Sequence, residues 1–402
     1  MKKALIAVFV LSVVFLAGQS KAGIKVYQDG DKFVEIGGRI QLQYHQENDD
    51  PGDVEDELFF RRLRPYITGS LHKNWVGKFE FEMGKASDDN ELAVKGAYIE
   101  YKGIENLNVI IGHVDAQFSR EVLTSSKKQQ LIERTFVGDH NYGTPDKSLG
   151  LHVTGALLDK KITYGLSLAS LSLDPDAKKL DFDSPVNKSV DWNEGHLAAG
   201  RIDFHPLGNV AFSQGDFDRD VKFVVGVAGL AWSNDGDNNT YTDPVDGITA
   251  IKEDKSVWPF VEGPCAPACS KADVDSVKGT EISAGIRGYG ISIDIQQNEF
   301  KAELYDVNIT DGIYENGKTK LKNFSVEGGV MLIPSVVELV GGYQWQDADN
   351  YGEKWQRTSV GLNYYVHKHD LKTQITFRNG KSVDGVNGED KKELFVQTQL
   401  LF

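Results

Sequence analysis

The sequence predicts an all-β fold, a 16-stranded antiparallel transmembrane β-barrel with short periplasmic turns and long extracellular loops. Three observations predict it. The amino terminus has the pattern of an exported protein. Strand-like segments alternate polar and apolar side chains along the chain, and the connections between them are alternately short and long.

The amino terminus predicts a secretory signal peptide over residues 1–22. A basic tip, Met1-Lys-Lys3, precedes an almost unbroken apolar run over 4–18, and small residues follow at Ser20 and Ala22. The run is shorter than the roughly 20 residues that a membrane-spanning helix needs. We therefore expect the mature chain, residues 23–402, to begin at Gly23 and to form a single barrel domain.

Composition limits the classes of protein that this chain can be. The mature chain would carry 41 basic and 59 acidic residues, a formal charge of −18, whereas a nucleic-acid binder presents a basic face on a basic chain. A soluble protein of this length would need two domains, yet no linker or break in composition divides the sequence. One large closed sheet fits the length better.

Alternation places the strands, beginning with the carboxy terminus. Over 392–402, Leu400 and Phe402 fall on an apolar side, whereas Gln397 and Gln399 fall on the opposite, polar side. The same reasoning places fifteen further strands in chain order at 34–45, 57–72, 75–85, 93–103, 107–118, 148–158, 161–171, 195–207, 219–233, 278–288, 290–305, 321–334, 335–346, 357–366 and 371–378.

The connections form two classes that alternate strictly. Short turns are predicted near 72–74, 103–106, 159–160, 206–209, 288–289, 334–335 and 367–370. Long polar loops are predicted at 48–56, 86–92, 119–147, 172–194, 234–277, 306–320, 347–355 and 382–391. An even-stranded outer-membrane barrel has this alternation, and a pair of sandwich domains does not.

The two cysteines, Cys265 and Cys269, lie close together in the long loop 234–277. In an exported protein this spacing favours a disulfide that ties the tip of the loop. A metal or redox site is the alternative, but no further cysteine or histidine lies nearby to complete a zinc site.

No pattern in the sequence predicts an enzyme, a metal site or a cofactor. The nine histidines are scattered, and we find neither a nucleophile elbow nor a phosphate-binding glycine loop. Glu80 and Glu82 share one face of a strand about 7 Å apart, but nothing suggests a substrate cleft between them.

An ordered set of motifs resembles the phosphate-selective porin O/P family. In the first half these are Ile36-Gly-Gly-Arg-Ile-Gln-Leu-Gln-Tyr44, Phe59-Phe-Arg-Arg-Leu-Arg64, Ala97-Tyr-Ile-Glu-Tyr101, Ile111-Gly-His113, Thr124-Ser-Ser-Lys127 and Leu131-Ile-Glu-Arg134. Later matches are Gly200-Arg-Ile-Asp-Phe-His-Pro-Leu207 and Gly361-Leu-Asn-Tyr-Tyr365. The resemblance implies a 16-stranded barrel, usually a homotrimer, whose third loop, here about 119–147, folds into the lumen and narrows it.

Candidate pore residues follow from the family pattern and from the chemistry of anions, because guanidinium groups suit phosphate and carboxylate oxygens. On the barrel wall they are Arg39, Arg61, Arg62, Arg64 and Arg201, and in the loop they are Arg120, Lys127, Lys128 and Arg134. Strict alternation puts Arg61 on the face opposite Arg62 and Arg64, so a β-bulge or a local twist is needed for all three to face inward. The arginines could instead hold the wall together by pairing with Glu35, Glu80, Glu82 or Glu100, and both roles can coexist.

One departure from the family pattern concerns specificity. Phosphate-selective members carry a lysine three residues ahead of the Ser-Ser-Lys element, and here that position is Val122. Arg120 is a candidate to replace the missing charge. The resemblance therefore carries over the fold better than it carries over phosphate selectivity.

These observations predict an outer-membrane porin that passively admits small hydrophilic solutes, above all anions such as phosphate. It would need no cofactor, contact outer-membrane lipid and bind no nucleic acid. The formal charge of −18 favours a general or cation-preferring pore as an alternative. The long loop 234–277 leaves open a barrel that serves mainly as an adhesin or docking protein.

Overall fold

The computed structural model describes residues 23–50, 53–84, 92–174, 176–183, 195–234, 240–242, 249–251 and 272–402. The predicted signal peptide, the Cys265–Cys269 pair and most of the loop 234–277 lie outside these ranges. No helix within them is both long and apolar enough to cross a membrane.

Strands dominate the chain. In order they are β1 Ile24–Asp29, β2 Lys32–Asp50, β3 Asp53–His72, β4 Trp75–Glu82, β5 Ala93–Ile104, β6 Leu107–Asp115, β7 Lys147–Leu157, β8 Ile162–Ser170, β9 Ser172–Leu173, β10 Phe182–Asp183, β11 His196–Phe204, β12 Lys222–Ser233, β13 Thr240–Thr242, β14 Thr249–Ile251, β15 Val274–Gly288, β16 Ile291–Leu304, β17 Lys318–Ile333, β18 Val337–Asp347, β19 Trp355–His367, β20 Leu371–Lys381 and β21 Lys391–Leu401. The described helices are short, namely α1 Arg120–Leu123 and 3-10 turns at Ser126–Lys128 and Val383–Gly385.

Sixteen of these strands form one closed antiparallel barrel, as the sequence predicts. From β2 to β8, then through β11, β12 and β15 to β21, each strand pairs with the next, and β21 pairs back onto β2. At this seam Gly38 and Phe402 exchange two backbone hydrogen bonds, of 2.7 and 3.1 Å. The other strands lie outside the barrel: β1 extends the edge of β2 as a hairpin, and β9–β10 and β13–β14 are small hairpins within loops.

Alternation along each strand separates an apolar outer face from a polar lumen. On β16, Ile291 and Ile295 each keep 43% of their surface exposed on the outside, whereas Asp294 and Gln296 are buried inside. Apolar side chains also fill part of the lumen at the long-loop end, where Phe118, Trp232 and Phe300 belong to one buried cluster. The barrel interior is therefore partly packed rather than an open tube.

Three predictions about local structure need correction. The long loop predicted at 48–56 is wrong, because β2 continues to Asp50 and β3 begins at Asp53, so that the two strands pair through most of this range. The first strand runs over Lys32–Asp50, longer than the predicted 34–45, and the β1 hairpin before it was not predicted. The short turn predicted at 206–209 is wrong, because β11 ends at Phe204 and β12 begins only at Lys222. The connection between them, residues 205–221, packs into the barrel, and its buried groups find partners there that a tight turn would not need.

Candidate ion pathway

The connection between β6 and β7, residues 116–146, lies inside the barrel, and we call it the inward loop. Gln130 is its main attachment to the wall. Its side chain donates to Ser292 and to Glu338, both at 2.6 Å, and its carbonyl oxygen accepts from Asn363 at 2.9 Å and from Gln374 at 2.7 Å. The inward loop is thereby fixed to the strands β16 and β18 to β20.

Further contacts attach the rest of the inward loop to the same side of the barrel. The Arg120 backbone N–H donates to Glu281 at 2.9 Å, and the Phe136 N–H donates to Gln344 at 2.8 Å. Lys372 donates to the carbonyl of Gln129 at 2.8 Å. Buried polar groups need such partners, because an unsatisfied buried group costs about 1–3 kcal/mol. The loop cannot leave this wall without exposing or orphaning them.

Open space remains between the inward loop and the opposite wall, β2 to β7. This inner chamber has a volume of about 800 Å³. Its lining carries nine basic and six acidic side chains, so it is positive although the whole chain is negative. The basic residues are Arg39, Arg61, Arg62, Arg64, Lys78, Lys95, Lys127, Arg134 and Lys147, and the acidic ones are Glu35, Glu80, Asp115, Glu133, Asp139 and Asp146.

A β-bulge brings consecutive arginines to the same side of the wall. Gln41 pairs with Arg62 and Leu42 pairs with Phe60, so Arg61 is the extra residue between them. Arg61 turns toward the lumen and binds Glu133 of the inward loop through two hydrogen bonds, of 2.9 and 3.3 Å. The inward placement of Arg61, Arg62 and Arg64 is therefore achieved by a bulge.

Arg39 and Arg64 face each other across β2 and β3. Arg64 is neutralised by Glu82, to which its Nε donates, and by Glu80 at 4.0 Å. Arg39 donates to the neutral hydroxyl of Ser126 at 2.9 Å, and Arg62 donates to the neutral amide of Gln41 at 3.1 Å.

Most other cations of the chamber are paired with an acid. Lys78 lies 2.6 Å from Glu80, Lys95 lies 3.0 Å from Asp146, and Lys147 lies 2.9 Å from Asp115. Within the described ranges, however, no carboxylate oxygen comes within 4.0 Å of Arg39, Arg62 or Lys127. We call these three the unpaired cations.

The charges at the inward loop are reflected in the pKa values of its own residues. Burial and the nearby charge of Arg39 lower the pKa of Lys127. Burial alone would raise the pKa of Glu133, but the charges of Arg61 and Arg62 lower it to about 2. Burial raises the pKa of Glu121, which accepts hydrogen bonds from Thr135 within the loop, to about 7. Positive potential therefore prevails where the loop faces the arginines.

A second chamber, of about 370 Å³, lies toward the long-loop end and includes Phe59, Arg357 and Arg378 in its lining. Both chambers share Arg61, Glu133, Arg134 and Asp139, and we call this shared set the neck. The two chambers meet at the neck, and together we call them the path. The inner chamber lies against β2 to β7, and the second chamber lies against β2, β3 and β19 to β21.

Some predicted candidates lie away from this path. Arg201 is buried and binds Asp203 and, at 2.8 Å, Glu281. It therefore stabilises the barrel wall by pairing with acids, which is the alternative role given above for the arginines. Arg120 is buried near Asp203 and Asp294. Neither residue lines either chamber, and Lys128 does not line them either.

Val122 lines the inner chamber, and a cation lies beside it. Arg134 donates from its guanidinium to the carbonyl oxygen of Val122 at 3.3 Å. Arg120, the replacement suggested by its nearness in sequence, points to the other side of the inward loop. Arg134, rather than Arg120, is thus the cation that contacts the backbone of Val122.

Sequence reasoning missed several cations of the inner chamber, namely Lys78, Lys95 and Lys147. Lys78 could have been found, since it shares the inward face of its strand with Glu80 and Glu82. Lys95 and Lys147 are both close to Asp146 at the end of the inward loop. No local sequence pattern indicates that Lys95 approaches this distant residue.

One group of side chains has the composition of a metal site. His45, Glu47 and Glu393 have ligand atoms within 4.8 Å of one another. Arg378 already holds Glu393 through two hydrogen bonds, and Lys391 holds Glu47. These cations favour an ion-pair cluster over a bound metal.

Comparisons with known proteins agree with this geometry. Residues 34–199 match the family described as phosphate-selective porin O and P. Porin O of Pseudomonas aeruginosa is 26% identical over 94% of this chain and 90% of its own length. Among solved structures, an anion-selective porin from Comamonas acidovorans is 12% identical, with a TM-score of 0.55 over 92% of this chain and 99% of that one. The trimer form of OmpT from Vibrio cholerae is 12% identical, with a TM-score of 0.56 over 95% and 100%.

Proposed function

Because the chain belongs to the phosphate-selective porin O and P family, we propose that its pathway conducts small anions, with phosphate-like oxyanions as the preferred class. The protein is an outer-membrane porin, a 16-stranded barrel through which small hydrophilic solutes diffuse. The finer proposals concern which solute passes and which residues select it.

The observation that carries the proposal is the set of unpaired cations. Arg39, Arg62 and Lys127 lack an acidic partner in the described ranges, although acids neutralise most of the cations around them. A narrow, partly dehydrated site favours an ion that replaces its lost hydration with protein ligands. An anion gains such ligands at this position, and a cation is repelled.

The chemistry of these groups suits an oxyanion. A guanidinium presents several N–H donors in a plane and can bind two oxygens of a phosphate or carboxylate at once. Arg39 already donates one N–H to Ser126, whose hydroxyl can also serve as a donor to an anion. We propose that an anion enters from the long-loop end, passes the neck, and meets Arg62, Arg39 and Lys127 in turn.

The general or cation-preferring pore is the alternative within the class. It is favoured by the overall formal charge, but the chamber lining has more cations than acids. The interaction barrel, with loop 234–277 as a docking site, concerns residues that lie largely outside the described ranges. Conductance measurements separate these alternatives.

We also propose a homotrimer in contact with outer-membrane lipid, since one structural neighbour is described as a trimer form. Cleavage after residue 22 and a disulfide between Cys265 and Cys269 complete the proposal. The matched relatives are porins, and the proposed transport is passive, with no catalytic step, cofactor, metal or nucleic acid.

The test is the chloride current of the purified protein in a planar bilayer under addition of phosphate. We expect phosphate at the concentration that half-saturates the site to reduce the chloride current by half, because both anions compete for the unpaired cations. An anion-selective current without block would keep the anion pore and remove the phosphate site. A cation-selective current would reject the proposal, and a folded protein that does not conduct would favour the interaction barrel.

A further inference from the structure

The connection between β11 and β12, residues 205–221, enters the lumen from the short-turn end, and we call it the strap. Val210, Gln214 and Asp216 of the strap are buried. The other connections at this end are short, such as the turn between β15 and β16 at 289–290. The strap is thus a second segment inside the barrel, and it enters from the end opposite to that of the inward loop.

Gln214 joins the strap to three other parts of the molecule. Its N–H donates to the carbonyl of Lys128 at 3.0 Å, and its Oε1 accepts from the N–H of Gln130 at 2.7 Å, both in the inward loop. Its Nε2 donates to Glu327 of the wall at 2.8 Å. Its carbonyl lies 3.0 Å from Nε2 of His369, in the turn between β19 and β20.

Neighbouring strap residues add attachments on both sides. Arg120 of the inward loop donates to the carbonyl of Ala211 at 3.2 Å. Arg287 of the wall donates to the carbonyl of Ser213 at 2.9 Å, and the N–H of Gly290 donates to Asp216 at 2.7 Å. The strap therefore bridges the inward loop and the wall strands.

These contacts account for the burial of charged side chains behind the inward loop. Arg120, Arg287 and Lys372 are buried there, and none lines either chamber. Without the strap, these cations and Glu327 would be exposed toward the short-turn end. Lys128 and Gln130 would also lose their hydrogen bonds to Gln214.

We propose that the strap is a second constriction element, which holds the inward loop in position and restricts solutes to the path. Gln214 is the positioning residue of this device. The inference rests on the proposed function only in that the barrel must conduct. It does not require that the preferred solute be an anion.

The first experiment measures single-channel conductance and the largest neutral polyethylene glycol that enters the pore, for Gln214→Ala. We expect conductance to rise at least twofold and larger polymers to enter. Asp218→Asn is the matched control in the same segment, since Asp218 is exposed and contacts only the surface residues Lys222 and Lys368, at 3.4 and 3.5 Å. Wild-type conductance and polymer exclusion in a folded Gln214→Ala barrel would overturn the inference.

A second experiment avoids dependence on the folding of Gln214→Ala. The pair Gln214→Cys and Lys128→Cys, in a chain with Cys265→Ser and Cys269→Ser, links strap and inward loop at a point where a backbone hydrogen bond of 3.0 Å already joins the two residues. We expect reduction of this disulfide in the folded channel to raise the conductance. Both redox states lack Lys128, so their difference reports the link alone. Equal conductance and polymer exclusion in the two states would contradict the proposal.

The strap and the anion site can fail separately. If the channel proves cation-selective but Gln214→Ala widens it, the proposed selectivity is wrong and the strap stands. If phosphate blocks the chloride current but neither strap experiment changes the polymer exclusion, the anion site stands and the strap is rejected.

Discussion

Arg39 and Arg64 lie directly opposite each other on neighbouring strands, an arrangement of like charges that destabilises a sheet. Glu82 neutralises Arg64, but Arg39 and the nearby Arg62 bind only a hydroxyl and an amide. Such a cluster is tolerated where water and mobile anions reach it, as in the inner chamber. Under the proposed function, this unfavourable charge within the wall is what attracts an anion to the chamber.

The Glu133 carboxylate gives the first prediction, which concerns pH. Its pKa is lowered from the ordinary 4.5 to about 2 by the arginines that hold it. A lowered pKa means that the carboxylate stabilises the folded neck above pH 4.5 and that this stabilisation is lost as the pH falls toward 2. The shift corresponds to about 3 kcal/mol. We expect flicker of the single-channel current and anion preference to increase together as the pH is lowered from 7 to 2, where about half of the Glu133 side chains are protonated.

Glu133→Gln is the control for this prediction. It removes the titrating group and leaves Arg61 without its charged partner, so the variant at pH 7 should resemble the wild type at low pH. Its flicker should no longer change between pH 7 and pH 2. A wild-type channel with the same noise and selectivity at both values would contradict the assigned role of Glu133.

The β-bulge in β3 determines which side chains meet at the neck. Because side chains alternate with a period of two, one extra residue in a strand exchanges the faces of everything beyond it. Phe60 keeps 47% of its surface exposed on the outside while Arg62 is buried inside, with Arg61 between them. The bulge thus adds a third arginine to the lumen without moving the apolar face away from the membrane.

Deleting Arg61 gives the second prediction. The deletion restores regular alternation between Phe60 and Arg62, so the barrel should still fold, while the neck loses its bond to Glu133. Deleting Leu63 instead would also remove the bulge, but regular alternation would then place Arg62 on the apolar outer face, which should prevent folding. Heat-modifiable migration in detergent gels measures both, and an unfolded Arg61 deletion beside a folded Leu63 deletion would contradict this account of the bulge.

Phe402 extends the seam between β21 and β2 beyond its paired residues, which run from Arg39–Leu401 to Asn48–Lys392. Phe402 exchanges two backbone hydrogen bonds with Gly38 at the seam between β21 and β2. A net contribution of about 1 kcal/mol for each bond predicts that removing the residue destabilises the barrel by about 2 kcal/mol.

The third prediction compares deletion of Phe402 with Phe402→Leu. The leucine variant retains the backbone N–H and carbonyl, so it should unfold near the wild-type urea concentration, whereas the deletion should unfold at a lower one. Equal unfolding midpoints for the deletion and the wild type would show that the seam does not depend on these bonds.

The sequence predicted the barrel well because alternation is a local property. Gln397, Gln399 and Leu400 lie on the faces that their spacing indicates, and the same logic placed all 16 strands. Contacts between segments that are far apart in the sequence are not indicated by any local sequence pattern. Arg134 rather than Arg120 lies beside Val122 because the inward loop folds back on itself, and nothing around Gln214 indicates that it joins the strap to the inward loop.

The reversal potential under a KCl gradient tests whether the unpaired cations make the pore anion-selective. The comparison is between the wild type and the triple variant Arg39→Gln, Arg62→Gln and Lys127→Gln, with Lys73→Gln in an exposed turn as the control. Three charges at roughly 6 Å in water-like surroundings stabilise a monovalent anion by about 2 kcal/mol together, a factor of about 30 in its occupancy of the site. We expect the wild type and Lys73→Gln to prefer anions strongly and the triple variant to lose most of that preference. A triple variant that is folded and as anion-selective as the wild type would contradict the account.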